Sequence, residues 1–132
     1  MRSIRKWRHA VVVAAALSGS LVAATATPAQ AAEGGCPYGA LCIYTGAYYS
    51  GNGRAYFGCD YYVNLAGTVY SNNVSSIVHN KGYYSVAFFW DQAAPFAQLN
   101  QHSYGYRANL ANDPLYGGSW DNRIDTLYVG GC

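Results

Sequence analysis

Four cysteines, Cys36, Cys42, Cys59 and Cys132, carry the most definite chemistry in this 132-residue chain. An even number of cysteines in an exported chain implies two disulfides formed in an oxidising compartment. Three pairings are open. The favoured one joins Cys36 to Cys42 around Pro37 and Gly39, and Cys59 to Cys132, tying the C-terminus back. The long bridge restricts the unfolded chain more, worth about 4 kcal/mol or more in the entropic description. Zinc is the rival use of these thiols. Only Cys36 and Cys42 are close in sequence, and their spacing does not match the CxxC pattern of structural zinc sites.

The other reactive side chains are few. After the first 31 residues the histidines are His79 and His102. A hydrolytic triad needs a nucleophile, a histidine and an orienting carboxylate. His79 follows Ile77-Val78 with no nucleophile motif beside it, and His102 lies in the polar run Asn100-Gln101-His102-Ser103. Glycosidase chemistry needs two acids about 5–9 Å apart across a cleft. Asp121 and Asp125 are the nearest such pair, in a domain too small for a deep cleft. HExxH, GxSxG and Gly-Lys-Ser/Thr are all absent from the sequence. The chain reads as a non-enzyme.

Residues 1–31 have the layout of a secretory signal peptide. Arg2, Arg5, Lys6 and Arg8 form a basic start, an apolar stretch opens at Ala10, and Ala29-Gln30-Ala31 offers a small-x-small cleavage site. The apolar stretch is too mixed for a membrane anchor, which needs about 20 mostly apolar residues. Residues 32–132 are then a secreted, extracellular domain with no membrane attachment. The formal charge of +2 belongs to the whole chain. The domain itself keeps four bases, Arg54, Lys81, Arg107 and Arg123, against six acids, a net of −2. No basic cluster remains to neutralise phosphates, so nucleic acid is not an expected partner.

All 14 tyrosines lie in this domain, with most of the glycines and few Lys or Glu. Short strands joined by tight turns suit that composition. Strands are predicted at 40–44, 54–57, 76–79, 84–90, 96–99, 104–110 and 124–129, with a short mixed stretch at 61–69. Ala93-Ala94-Pro95 is expected to break a strand, and single helical turns are expected only near Ala93 or Asn122. About eight strands point to an all-β sandwich or barrel. Tyr70-Ser71-Asn72-Asn73-Val74-Ser75-Ser76-Ile77 resembles Trp120-Asp121-Asn122-Arg123-Ile124-Asp125-Thr126-Leu127, fifty positions later. That spacing suggests two related halves, each a four-stranded Greek key, packed face to face.

Tyr44-x-x-x-x-Tyr49-x-Gly51, followed by Ser71-Asn72-Asn73-Val74-Ser75-Ser76, resembles a βγ-crystallin motif. Cys36-Pro37-x-Gly39-x-x-Cys42-x-Tyr44 after a signal peptide resembles the start of secreted actinobacterial proteins of peptidase inhibitor family thirty-six. The resemblance runs from Cys36 to Val129. It implies a βγ-crystallin-like sandwich of two Greek keys and a secreted binding protein, first of all a metalloproteinase inhibitor acting on a secreted proteinase. Related crystallin-like proteins include killer toxins. A cell-wall or carbohydrate-binding module and a calcium-stiffened structural protein are the further alternatives. A monomer is expected. No cofactor is required, and calcium is the candidate ion.

Calcium-binding crystallins take oxygen ligands from the two polar loops, which here implies Asn72, Ser75, Asp121, Asn122 and Asp125. Ser71 stands where Asn or Asp is usual, and Asp125-Thr126 replaces the usual serine pair. Calcium prefers six to eight oxygens including carboxylates, which favours the second loop. The plainer expectation is that these side chains cap turns. For an inhibitor, the candidate reactive loops are 46–53 and 112–119. Adjacent tyrosines such as Tyr48-Tyr49, Tyr61-Tyr62 and Tyr83-Tyr84 should place one ring inward and one outward, leaving several for recognition.

Overall fold

The computed structural model describes residues 32–82 and 84–131. The expected signal peptide, Tyr83 and Cys132 lie outside the described residues. Among the described residues run ten strands: β1 (Ala40–Tyr44), β2 (Gly53–Tyr56), β3 (Tyr61–Asn64), β4 (Ser76–Asn80), β5 (Val86–Asp91), β6 (Ala94–His102), β7 (Gly105–Arg107), β8 (Pro114–Leu115), β9 (Gly118–Ser119) and β10 (Thr126–Gly130). Sheet I has the order β2-β1-β4-β7, sheet II the order β3-β10-β5-β6, and β8-β9 form a small hairpin. Every pairing is antiparallel. The all-β expectation holds.

The suspected duplication is visible in the hydrogen bonds. Each half lends its third strand to the other half's sheet: β3 joins sheet II and β7 joins sheet I. The two polar loops exchange matched bonds across a pseudo-twofold axis. Asn72 N–H donates to Ile124 O (3.1 Å), and Asn122 N–H donates to Val74 O (3.0 Å). Ser75 N–H reaches Tyr44 O while Asp125 N–H reaches Trp90 O. Leu65 N–H reaches Asp125 O while Leu110 N–H reaches Ser75 O. Asn72 and Asn122 both adopt positive φ (48° and 56°), a conformation asparagine tolerates better than most residues. The repeated Asn therefore serves a repeated turn.

Period-two alternation decides what lies between the sheets. Leu41, Ile43 and Ile77 from sheet I meet Ala87, Phe89, Leu127 and Val129 from sheet II, sealed by Tyr70, Val74, Trp120 and Ile124 from the loops. The outer faces differ. On sheet I a second apolar cluster of Cys36, Ala40, Cys42, Tyr44 and Val78 is covered by Ala32 and Tyr49. Both faces of β1 and β4 are consequently buried. On sheet II, β5 alternates between half-buried and buried along its length.

Several local expectations need correction. Helical turns fall at Glu33–Gly35, Ala47–Tyr49 and Leu110–Asn112, not near Ala93 or Asn122. Ala93 sits in a tight turn capped by Asp91 Oδ1, which accepts its N–H (2.8 Å). The chain does not break at Pro95. β6 runs from Ala94 to His102 as an edge strand, with a register shift opposite Trp90/Asp91, and edge strands and bulges are where a sheet tolerates proline. Only Gly105–Arg107 of the expected strand 104–110 is extended, because Leu110 turns inward on a helical turn. Among the described residues one disulfide is present, Cys36–Cys42. Two were expected. Cys59 is not free, and its expected partner, Cys132, lies outside the described residues.

Candidate functional site

The outer face of sheet II carries a cluster of four aromatic rings. In register across it stand Tyr62 on β3, Tyr128 on β10 and Phe88 on β5, with Asn100 on β6 completing the row. The next row holds Asn64, Thr126, Trp90 and Gln98. Ring centroids lie 4.6 Å apart for Tyr62–Tyr128, 6.0 Å for Tyr62–Trp90, and 6.1 Å for Phe88–Trp90 and Phe88–Tyr128. Neighbouring planes are inclined by only 23–36°. On sheet I, Tyr44, Tyr49 and Tyr106 pack edge to face instead, at 68° and 82°. The sheet II rings thus overlap one another in a continuous apolar row. Tyr62, at 71% exposure, is its most open member.

Backbone and polar neighbours hold this surface in place. A Cβ on Gly130 would come within 2.6 Å of Tyr128 Cε1, so the ring lies down along its own strand where only glycine leaves room. Tyr128 O–H donates to Asp60 Oδ1 (3.1 Å), and that bond raises the phenol above its usual pKa. Gln98 Nε2 donates to Asn100 Oδ1 (2.7 Å) and Ala66 N–H donates to Asn64 Oδ1 (2.9 Å). Each amide keeps further donors or acceptors for a ligand. None of the four bases of the domain is on this face. Arg107 pairs with Asp113, Arg123 pairs with Asp91, Lys81 is buried, and Arg54 lies over the Tyr56 ring on β2.

Sequence reasoning expected exposed tyrosines but did not locate this patch. Its signal was present in Ala87-Phe88-Phe89-Trp90, where alternation sends Phe88 and Trp90 to one face and Ala87 and Phe89 to the other. What was missing was the pairing of β3 and β10 beside β5. The in-and-out expectation holds for Tyr61 and Tyr62, since Tyr61 packs against the core while Tyr62 is exposed. Of the two candidate reactive loops, 46–53 folds back, with Tyr48 N–H donating to Ala108 O and Tyr49 N–H to Ser76 Oγ. The 112–119 segment forms the β8–β9 hairpin and presents Tyr116 almost fully to solvent. Tyr116, Phe96, Ala94 and Ala97 line an apolar cleft of about 350 Å³.

The polar-loop residues gather in two pseudo-equivalent places. At one, the Asp125 carboxylate accepts from Ser71 Oγ (3.4 Å) and Gln92 N–H (3.1 Å). At the other, Ser75 Oγ donates to Asn122 Oδ1 (3.3 Å), and Asn122 Nδ2 donates to Asp121 Oδ2 (3.2 Å). Asn72 contributes through its backbone turn. Asp121 Oδ1 is buried without a partner, the one feature that suits an added cation. Each place brings a single carboxylate, well short of six oxygens, so backbone and water would have to complete a calcium shell. Among the described residues no three His, Cys, Asp or Glu come together as a metal cluster.

His79 lies on the inner side of sheet I, fully buried. A carbonyl can only accept, so His79 Nδ1 donates to Gln101 O (2.8 Å), while Nε2 lies 3.1 Å from Ser85 Oγ, whose single proton is shared between that nitrogen and Gly82 O (3.0 Å). This Ser–His contact was not foreseen. Ser85 is itself buried, so the contact is structural rather than nucleophilic. Burial, with lesser contributions from Lys81 and His102, lowers the His79 pKa. The native state therefore binds fewer protons than the unfolded chain just below pH 6.5. Stability is expected to fall as pH drops below about 6.5 and to level off below the lowered native value. His79→Gln should flatten that slope in urea melts recorded between pH 7 and 4. His102 is exposed.

An all-β sandwich whose Greek keys exchange their third strands defines the class of fold. No protein-family model matches the chain, and no curated protein matches it. Among solved structures it is similar to one described as "Evolution of the eye lens beta-gamma-crystallin domain fold", with 18% identity, 74% of this chain and 92% of that chain covered, and a TM-score of 0.56. It is also similar to a beta gamma crystallin from Ciona intestinalis, with 17% identity, 68% and 98% coverage and a TM-score of 0.49. The first of these likenesses makes the fold βγ-crystallin-like. Among the described residues no helix is long and apolar enough to cross a membrane.

Proposed function

We propose that this chain is a secreted, non-enzymatic binding protein whose contact surface is the outer face of sheet II. The observation that supports this reading is the inequality of two pseudo-equivalent faces. The outer face of sheet I is mostly covered by Ala32, Tyr49 and the Cys36–Cys42 loop, with Tyr106 exposed at its edge, while its mate keeps four rings in reach of solvent. A fold that can cover such a face on one sheet and leaves it open on the other has a use for the open one. We take the domain as a monomer, with Cys59–Cys132 as its second bridge. Peptide mapping without reduction tests that pairing. The scarcity of unpaired bases argues against nucleic acid as ligand.

Peptidase inhibition is the second reading, favoured by Tyr116 at the tip of the short β8–β9 hairpin, where little ordering entropy remains to be lost on binding. Titrating secreted metallo- and serine proteinases with the purified domain separates the two. The sheet II reading expects unchanged proteolytic rates, and retention on cell-wall material that Tyr62→Ala and Trp90→Ala each weaken. Inhibition lost in Tyr116→Ala but kept in the ring variants would favour the hairpin. A growth-inhibition assay on the same variants covers a toxin. Calcium is at most a stiffener here, expected to raise Tm only at about 0.1–1 mM, and not in Asp121→Asn.

A further inference from the structure

The sheet II face also carries enough detail to name a class of ligand. We propose that it binds an uncharged polysaccharide, with the C–H faces of successive sugar rings packed along the row of Tyr62, Tyr128, Phe88 and Trp90. This rests on the reading of that face as the contact surface.

Three features select this ligand. First, neighbouring rings overlap at 23–36° with centroids 4.6–6.1 Å apart, so they form a continuous aromatic row rather than a pocket for one side chain. Tyr62, Tyr128 and Phe88 sit on adjacent strands, and strand spacing makes the row about 10 Å long, enough for more than one sugar ring. Second, the row and its neighbour end in amides. Asn64, Gln98 and Asn100 stand beside the rings, and amide groups both donate to and accept from hydroxyls. Third, the face has no base, and its nearest acid, Asp60, is held by Tyr128 O–H. Single-stranded nucleic acid also stacks on aromatic faces, but it needs a positive groove to follow its phosphates, and none exists here. An anionic wall polymer fails for the same reason.

The test is depletion of the purified domain by insoluble chitin and β-glucan, with titration of soluble oligosaccharides followed by Trp90 emission. Trp120 is buried, which leaves Trp90 as the reporter. Each of Tyr62→Ala and Trp90→Ala should weaken polysaccharide retention about tenfold or more, comparable to the loss of one stacking ring in other aromatic platforms. Gly130→Ala, which forces Tyr128 off its strand without removing a ring, should weaken it less. Melts confirm that the variants stay folded. Failure of every neutral polysaccharide to bind, with the rings still required for another partner, overturns the ligand class and leaves the surface standing. Ring variants that bind a partner as the wild type does overturn the surface itself. Sedimentation that shows dimers lost in Tyr62→Ala assigns the face to a second copy and overturns the proposal.

Discussion

Phe89→Ala should lower the stability of the domain by about 3–5 kcal/mol, close to the cost of emptying any well-packed aromatic site. Phe89 is wholly buried between the sheets, in register with Leu127 on one side and Leu99 on the other. A domain of this size has about 5–15 kcal/mol in all, so the variant should melt at a much lower urea concentration or fail to fold. The neighbouring Phe88→Ala removes the same group from the outer face and should cost less than about 1 kcal/mol. The contrast matters more than either value. Equal losses would mean that the division of β5 into a core face and a ligand face is wrong. Phe89→Leu, which nearly conserves volume, should recover most of the stability.

Arg123→Ala should be the next most damaging change, and more damaging than Asp91→Ala. Arg123 Nε donates to Asp91 Oδ2 at 2.6 Å, and the two side chains are 38% and 2% exposed. Removing the arginine strands a buried carboxylate, for which about 3 kcal/mol is expected. Removing the aspartate leaves a cation that water can reach and loses one bond from Ala93 N–H, about 1–2 kcal/mol. The pair also links the second polar loop to the β5–β6 turn, so its loss should loosen Trp90 at the end of the ring surface. Urea melts of the two single variants and the double variant measure this. An Asp91→Ala loss larger than the Arg123→Ala loss would contradict it.

The parts of the fold that could be read from sequence were those set by local chemistry. Tyr70–Ile77 and Trp120–Leu127 resemble each other because both form the same asparagine turn and the same exchanged bonds. The apolar run 84–90 marked a strand, found at Val86–Asp91, though not its two unlike faces. The edges were harder. Pro95 looked like a breaker because sequence does not show that β6 has a partner on one side only. Loop 46–53 looked like a projecting segment, but Tyr48 and Tyr49 take positive φ and fold it onto Ala108 and Ser76. The ring surface was hidden for a topological reason. Tyr62, Phe88 and Tyr128 come from strands far apart in sequence, and they meet only because β3 crosses to the other sheet. His79 and Ser85 met in the same unannounced way, across the β4–β5 connection.

Hydroxyl-radical footprinting of the domain captured on its partner tests the central claim most directly. Three other exposed tyrosines, Tyr48, Tyr84 and Tyr116, serve as internal controls. If sheet II is the contact surface, Tyr62 and Trp90 lose their oxidation on binding while the three controls keep theirs. Protection of Tyr116 with Tyr62 and Trp90 still oxidised would place the partner on the β8–β9 hairpin and end the account.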